Sequence, residues 1–123
     1  MKRHLPGKRV LIVEDNPVLA FDLKDFLTNA GALPVGPALD LTSAMKFARA
    51  NHLDAAILDI QLGDVERVWP LAQELKRHEV PVVFVSGNCT KKDFPFAFQS
   101  DVCLEKPATQ EQILNEVGTL LAA

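Results

Sequence analysis

The chain has 123 residues, 48% of them hydrophobic and 24% charged, with a formal net charge of -3 at pH 7. That is enough for one domain around a single core, and it excludes the basic footprint of a nucleic-acid binder. No apolar run approaches the roughly 20 residues that cross a bilayer; the basic start MKRHLPGKRV has no apolar segment of a secretory leader behind it, since Glu14 and Asp15 interrupt the first apolar stretch, so a cytoplasmic location is expected.

Short continuous runs of Val, Ile and Leu alternate with longer helical stripes, the pattern of βα units in a doubly wound parallel sheet. The first strand is expected over 9–14. Asn16 can cap a helix that opens on Pro17, and Leu19, Leu23, Phe26, Leu27 and Ala30 form its inward stripe up to Gly31. The second strand, 33–35, reads as an edge strand because Pro34, Gly36 and Pro37 punctuate it. A second helix covers 41–50, with Leu41, Ala44, Met45 and Ala48 inward, and a third strand, 55–58, is the most apolar. The third helix is expected over 66–77, bent or restarted at Pro70, and the fourth strand over 82–85. The stretch after Ser86 has Pro95 in its middle, so a fourth helix is short or broken. A fifth strand at 102–104 precedes a helix opened by a capping-box pattern at Thr109 to Gln112, with Ile113, Val117, Leu120 and Leu121 as its stripe. No repeat, linker or low-complexity tract divides the chain, which reads as one domain over 1–123 with a core over about 9–121 and a tail at 1–8. Cys89 and Cys103 lack metal-ligand spacing and are expected as reduced thiols acting as small hydrophobes.

Polar residues stand where the strands end: Glu14 and Asp15, Asp59, Ser86, and Lys106. In open α/β sheets ligands bind beyond the carboxyl ends of the strands, so these residues are expected to share one site. Taken singly, an acid at a strand end is an ordinary loop residue or helix cap, and Ser86-Gly87 or Lys106-Pro107 an ordinary turn. Their occurrence together at successive strand ends is what argues for chemistry. Three clustered carboxylates need a cation, and an oxygen-only donor set suits Mg²⁺. A metal, a lysine and a hydroxyl around one carboxylate suit phosphoryl transfer onto it. Asp59 is the best nucleophile, since its strand is central and the loop after it, IQLGD, is open.

The motifs VLIVEDNP, ILDIQL, VVFVSG and CLEKP together resemble those of the receiver domain of two-component response regulators, from Val10 to about Leu121. The resemblance implies a flavodoxin-like sheet of five parallel strands in the order 2-1-3-4-5. It implies Asp59 as phosphoacceptor, Asp15 as a direct Mg²⁺ ligand and Glu14 as a ligand acting largely through a water. The main-chain carbonyl of Gln61 completes the metal site, Ser86 is the hydroxyl that turns to the phosphoryl group, and Lys106 is the cation that pairs with it. The implied donor is a phosphohistidine on a histidine kinase or a histidine phosphotransfer protein, and the domain catalyses only its own phosphorylation and dephosphorylation. Two positions depart from the pattern. Cys103 stands where such domains commonly carry Tyr or Phe, and the fourth helix is shortened.

Phe94, Phe96 and Phe98 are candidates either for a partner or self-association surface or for a cover over the core. Phe21 lies off the first helix's stripe, on the face that such domains offer to a kinase helix. Trp69 reads as packing, and His4, His52 and His78 as scattered surface residues. A stand-alone regulator that meets a downstream protein or a second copy of itself is expected. The rivals are an excised piece of a larger regulator, a Mg²⁺-dependent phosphohydrolase with an aspartyl-phosphate intermediate, and a non-phosphorylated interaction module. The hydrolase is disfavoured because Gln61 occupies the place of its general acid.

Overall fold

In β1 (Arg9–Val13), Leu11 and Val13 join one apolar cluster while Val10 and Ile12 join another, because successive side chains of a strand point to opposite faces. The computed structural model that resolves this describes residues 4–122. β3 (Ala55–Asp59) divides in the same way, with Ala56 and Leu58 against Ala55 and Ile57. So does β6 (Val82–Ser86), with Phe84 against Val83 and Val85. Strands buried on both faces are why these segments read as continuous apolar runs. With β2 (Leu33–Ala38) and β7 (Cys103–Glu105) at the edges, the sheet order is β2-β1-β3-β6-β7, all parallel. This is the expected five-stranded order.

Helices α1 (Pro17–Asn29) and α4 (Gln110–Ala122) cover the Val10/Ile12 face through Leu23, Leu27, Ile113, Leu114 and Val117. Helices α2 (Leu41–Ala50) and α3 (Trp69–Arg77) cover the other through Ala44, Leu71, Ala72 and Leu75. Each fully buried Leu or Val contributes about 1.5–3 kcal/mol. The expected caps are present: Asn16 Oδ1 accepts from the N–H groups of Val18 (2.9 Å) and Leu19 (3.3 Å). Thr109 and Gln112 exchange hydrogen bonds of 2.8 and 3.0 Å.

Several boundaries differ from the sequence expectation. In α1, Leu19 is half exposed and Ala20 takes its place in the core. β2 continues through Pro37 because Gly36 adopts φ +95°, where an added Cβ would lie 2.8 Å from the Ala38 nitrogen; pairing with β1 resumes at Val13 and Ala38 after a register shift. The segment expected to start the third helix instead forms a hairpin of β4 (Gln61–Leu62) and β5 (Glu66–Arg67). Pro70 therefore sits in the first turn of α3 rather than bending it. In place of a fourth helix the chain makes two 3₁₀ turns, Lys91–Asp93 and Phe96–Phe98, on either side of Pro95. Of the tail expected over 1–8, residues 1–3 lie outside the described residues, while Leu5 is buried and the Gly7 N–H donates to the Gly31 carbonyl.

The cysteines are not separate thiols. Cys89 and Cys103 form a disulfide with Cα atoms 5.9 Å apart. The register places Phe84 beside Cys103 and Ser86 beside Glu105. The chain leaving Ser86 then turns over this edge strand, where the Cys89 N–H donates to Glu105 Oε1 at 3.3 Å. Sequence spacing carries no trace of that proximity.

Candidate functional site

Among the described residues, the buried polar or charged side chains are Glu14, Asp59 and Ser86. All three stand at the carboxyl ends of β1, β3 and β6, the central strands of the sheet. A buried charge persists only when it is paired or hydrogen-bonded, and the pairing comes from the sheet edge. Lys106, just after β7, donates from Nζ to Glu14 Oε1 at 2.8 Å and to Asp59 Oδ2 at 3.0 Å. Its own main-chain N–H donates to the Ser86 carbonyl at 2.7 Å, so the strand ladder aims the lysine.

Main-chain N–H groups supply the other contacts. The Gln61 N–H donates to Asp59 Oδ1 at 3.3 Å, and the Asn16 N–H to Glu14 Oε2 at 3.0 Å. Asp15, exposed at the rim, accepts from the Gly63 N–H at 2.9 Å, which ties the β4–β5 hairpin to the loop after β1. Ser86 Oγ accepts from the Asn88 N–H at 3.3 Å.

Burial pushes the Asp59 carboxyl up to about 6; the charges of Glu14 and Asp15 push the same way, against the hydrogen bond and charge of Lys106. For Lys106, burial disfavours the charge, but the hydrogen bonds to Glu14 and Asp59 prevail and hold its pKa above the ordinary value. For Asp15 burial also acts upward, yet the Gly63 N–H prevails and leaves the carboxyl below its usual value.

Glu14, Asp15 and Asp59 each place an oxygen within 4.8 Å of the others. The structure therefore brings together Glu14, Asp15, Asp59, Ser86 and Lys106, as their positions at strand ends led one to expect. A cavity of about 540 Å³ lies over this cluster, lined by Asp15, Asp59, Ser86, Asn88, Arg67 and Trp69 among others. A second, of about 380 Å³ and largely apolar, runs between α1 and α4 from Leu19, Leu23 and Ile113 down to Asp59 and Lys106.

Arg67 and Trp69 are the site residues that sequence reasoning missed. Arg67 lies in β5 of the hairpin instead of in the expected third helix, whereas Trp69 opens α3 within the expected helix and lines the cavity from there. The hairpin's signal was Gly63-Asp64 between two short polar-apolar segments, too brief for periodicity to register.

The chain belongs to the response regulator receiver domain family, which matches residues 10–118. Its function is that of a phosphoacceptor receiver in two-component signal transduction. It is 28% identical over 117 residues to the regulatory protein VanRc of Enterococcus gallinarum, covering 94% of this chain and 50% of that one. It is 37% identical over 80 residues to the phyllosphere-induced regulator PhyR of Methylorubrum extorquens, covering 63% of this chain and 30% of that one. The chain thus spans half or less of the length of these curated relatives. The solution structure of SdrG from Sphingomonas melonis superimposes with a TM-score of 0.76 at 30% identity, covering 98% of both chains. Among the described residues no helix is long and apolar enough to cross a membrane.

Proposed function

We propose that Asp59 accepts a phosphoryl group from a phosphohistidine on a histidine kinase or histidine phosphotransfer protein, in the cytoplasm. One observation carries this reading: a buried carboxylate, held by Lys106 and crowded by two further acids, faces a polar cavity at the end of the central strand. The donors around it fit a hard divalent ion, since all are oxygens and an ammonium already neutralises two of them. Glu14, Asp15, Asp59 and the main-chain carbonyl of Gln61 would hold Mg²⁺, which when bound neutralises charge on the phosphoryl oxygens.

In the transfer, an Asp59 carboxylate oxygen attacks phosphorus and the P–N bond of the phosphohistidine breaks, its electron pair remaining on the imidazole. Lys106 keeps Asp59 oriented and then pairs with the phosphoryl oxygens. Ser86 turns its hydroxyl away from the Asn88 N–H to donate to one of them. In the later hydrolysis, water attacks phosphorus, the Asp59 carboxylate leaves and inorganic phosphate is released. Gln61 and Asn88, at the rim, set how easily that water enters.

The donor's helix would dock on α1, where Val18, Leu19 and Phe21 are exposed beside the apolar cavity that leads to Asp59. The hydrolase alternative has nothing to support it here. Gln61 cannot act as an acid, and its amide is engaged with the Gly63 carbonyl at 3.2 Å.

The test is the intact mass of wild-type and Asp59→Asn protein after incubation with phosphoramidate, with and without Mg²⁺. One phosphoryl addition that needs both Mg²⁺ and Asp59 is expected. Addition to the Asn variant, or none to the folded wild type, would overturn the assignment.

A further inference from the structure

The Cys89–Cys103 bridge joins the two segments that carry Ser86 and Lys106. Cys89 lies three residues after Ser86, and Cys103 three residues before Lys106. The main-chain bond from Lys106 N–H to the Ser86 carbonyl closes the other side, making a small ring of chain around the rim of the phosphoacceptor site. Both cysteines are partly exposed, so a small thiol or disulfide can reach them. Residues 87–90 lack the regular ladder: their hydrogen bonds include the Asn88 N–H on Ser86 Oγ, Asn88 Oδ1 accepting from Thr90, the Cys89 N–H on Glu105 and the Asp93 N–H on the Thr90 carbonyl. The covalent bridge is therefore the strongest restraint on this loop.

We propose that Cys89 and Cys103 form a reversible thiol–disulfide site that governs whether residues 87–90 can follow phosphorylation of Asp59. The inference rests on the receiver reading given above. When Ser86 turns to a phosphoryl oxygen it releases the Asn88 N–H, and the loop must move with it. With the bridge closed, Cys89 is tethered to β7 and the loop is held out. With the bridge open, the loop is free to close over the site. Disulfides in reducing compartments are usually transient and redox-sensing rather than structural.

The step balances with a low-molecular-weight disulfide such as oxidised glutathione as oxidant. The Cys89 thiolate attacks one of its sulfurs, forming a mixed disulfide and expelling one glutathione thiolate. The Cys103 thiolate then attacks the Cys89 sulfur and expels the second. Two protein thiols become one protein disulfide, one glutathione disulfide becomes two glutathione thiols, and the two protons pass to the products.

Wild-type and Cys89→Ser proteins would be equilibrated in a series of glutathione mixtures, then treated with N-ethylmaleimide and weighed intact. Each would also be titrated with beryllofluoride and Mg²⁺ while the amide resonances of 87–90 are followed. The wild type should pass from two maleimide adducts to none as the mixture becomes oxidising. Its oxidised form should lose most of the beryllofluoride-induced shifts in 87–90 that the reduced form shows, and Cys89→Ser should show them in every mixture. Two free thiols throughout, or equal loop shifts in both redox states, would overturn the proposal. A reduced wild type and Cys89→Ser that both ignore beryllofluoride would overturn the receiver reading itself, and the coupling with it.

Discussion

Lys106 Nζ lies 2.8 Å from Oε1 of Glu14, a residue 92 positions earlier in the chain, and the same ammonium reaches Asp59 at 3.0 Å. The lysine therefore occupies the carboxylates that a divalent ion would use. A divalent ion held there would share these ligands with the lysine, so the two cations would compete as well as cooperate.

Replacing Lys106 with Ala should accordingly strengthen Mg²⁺ binding several-fold, because removing a unit positive charge at this distance from a half-buried site is worth about 1 kcal/mol. The metal-free variant should lose about 2 kcal/mol of stability, since Glu14 and Asp59 are left buried beside each other without a cation. Isothermal titration with Mg²⁺ and urea melts, with and without the ion, check both halves. A weakened Mg²⁺ affinity would show that the lysine organises the site rather than competing for it.

Asp59 gives the metal-free protein an inverted pH response. Its carboxyl is held up to about 6 in the fold against an ordinary 3.8. Between those values the native state binds more protons than the unfolded chain, so this group's contribution to stability falls as pH rises through the window. Asp59→Asn removes the effect: without Mg²⁺ the variant should be more stable than wild type by about 3 kcal/mol at pH 8, with little difference near pH 4. Urea melts at both pH values measure this. A variant that melts below wild type at pH 8 would mean that the Lys106–Asp59 bond outweighs burial and repulsion.

The strand ends were legible because a strand buried on both faces leaves an unmistakable apolar run, and the first polar residue after it lies at the sheet's rim. That logic located Glu14, Asp15, Asp59, Ser86 and Lys106 without any knowledge of their contacts. It could not reach what depends on the path of the loops. The β4–β5 hairpin is two residues per strand, too short for periodicity to separate Glu66 and Arg67 from the helix that begins at Trp69. The Cys89–Cys103 bridge depends on the register of β6 against β7 and on the turn after Ser86, neither of which composition encodes. Gly36 hid the second half of β2, since a Gly-Pro pair ordinarily ends a strand and here it only shifts the register.

Trp69 should report the state of the site. Its ring stacks on Phe98 with centroids 5.6 Å apart and also lines the cavity over Asp59 and Ser86. As the chain's one tryptophan, it gives a fluorescence signal free of overlap. Mg²⁺ followed by beryllofluoride should change its emission in the wild type and leave Asp59→Asn responsive to neither addition to the same extent. Unchanged emission in a protein that demonstrably binds both would place the conformational response elsewhere, away from α3.

The three alternating phenylalanines divide into core and surface. Phe94 and Phe98 pack edge-on against Phe84 at 5.8 Å and around Trp69, whereas Phe96 is 91% exposed. In an extended segment these three alternate residues would share one face; the 3₁₀ turn over Phe96–Phe98 breaks that alternation, so that Phe94 and Phe98 reach the core while Phe96 faces solvent. Two rings thus fill the space that a fourth helix would cover. Phe98→Ala should cost about 3–5 kcal/mol, the usual effect of deleting a buried ring. Phe96→Ala should fall within about 0.5 kcal/mol of wild type in the isolated chain, so any phenotype it has must come through a bound partner. Urea melts of the two variants, with sedimentation of Phe96→Ala beside wild type, separate these roles. A large stability loss for Phe96→Ala would show that this ring also belongs to the fold.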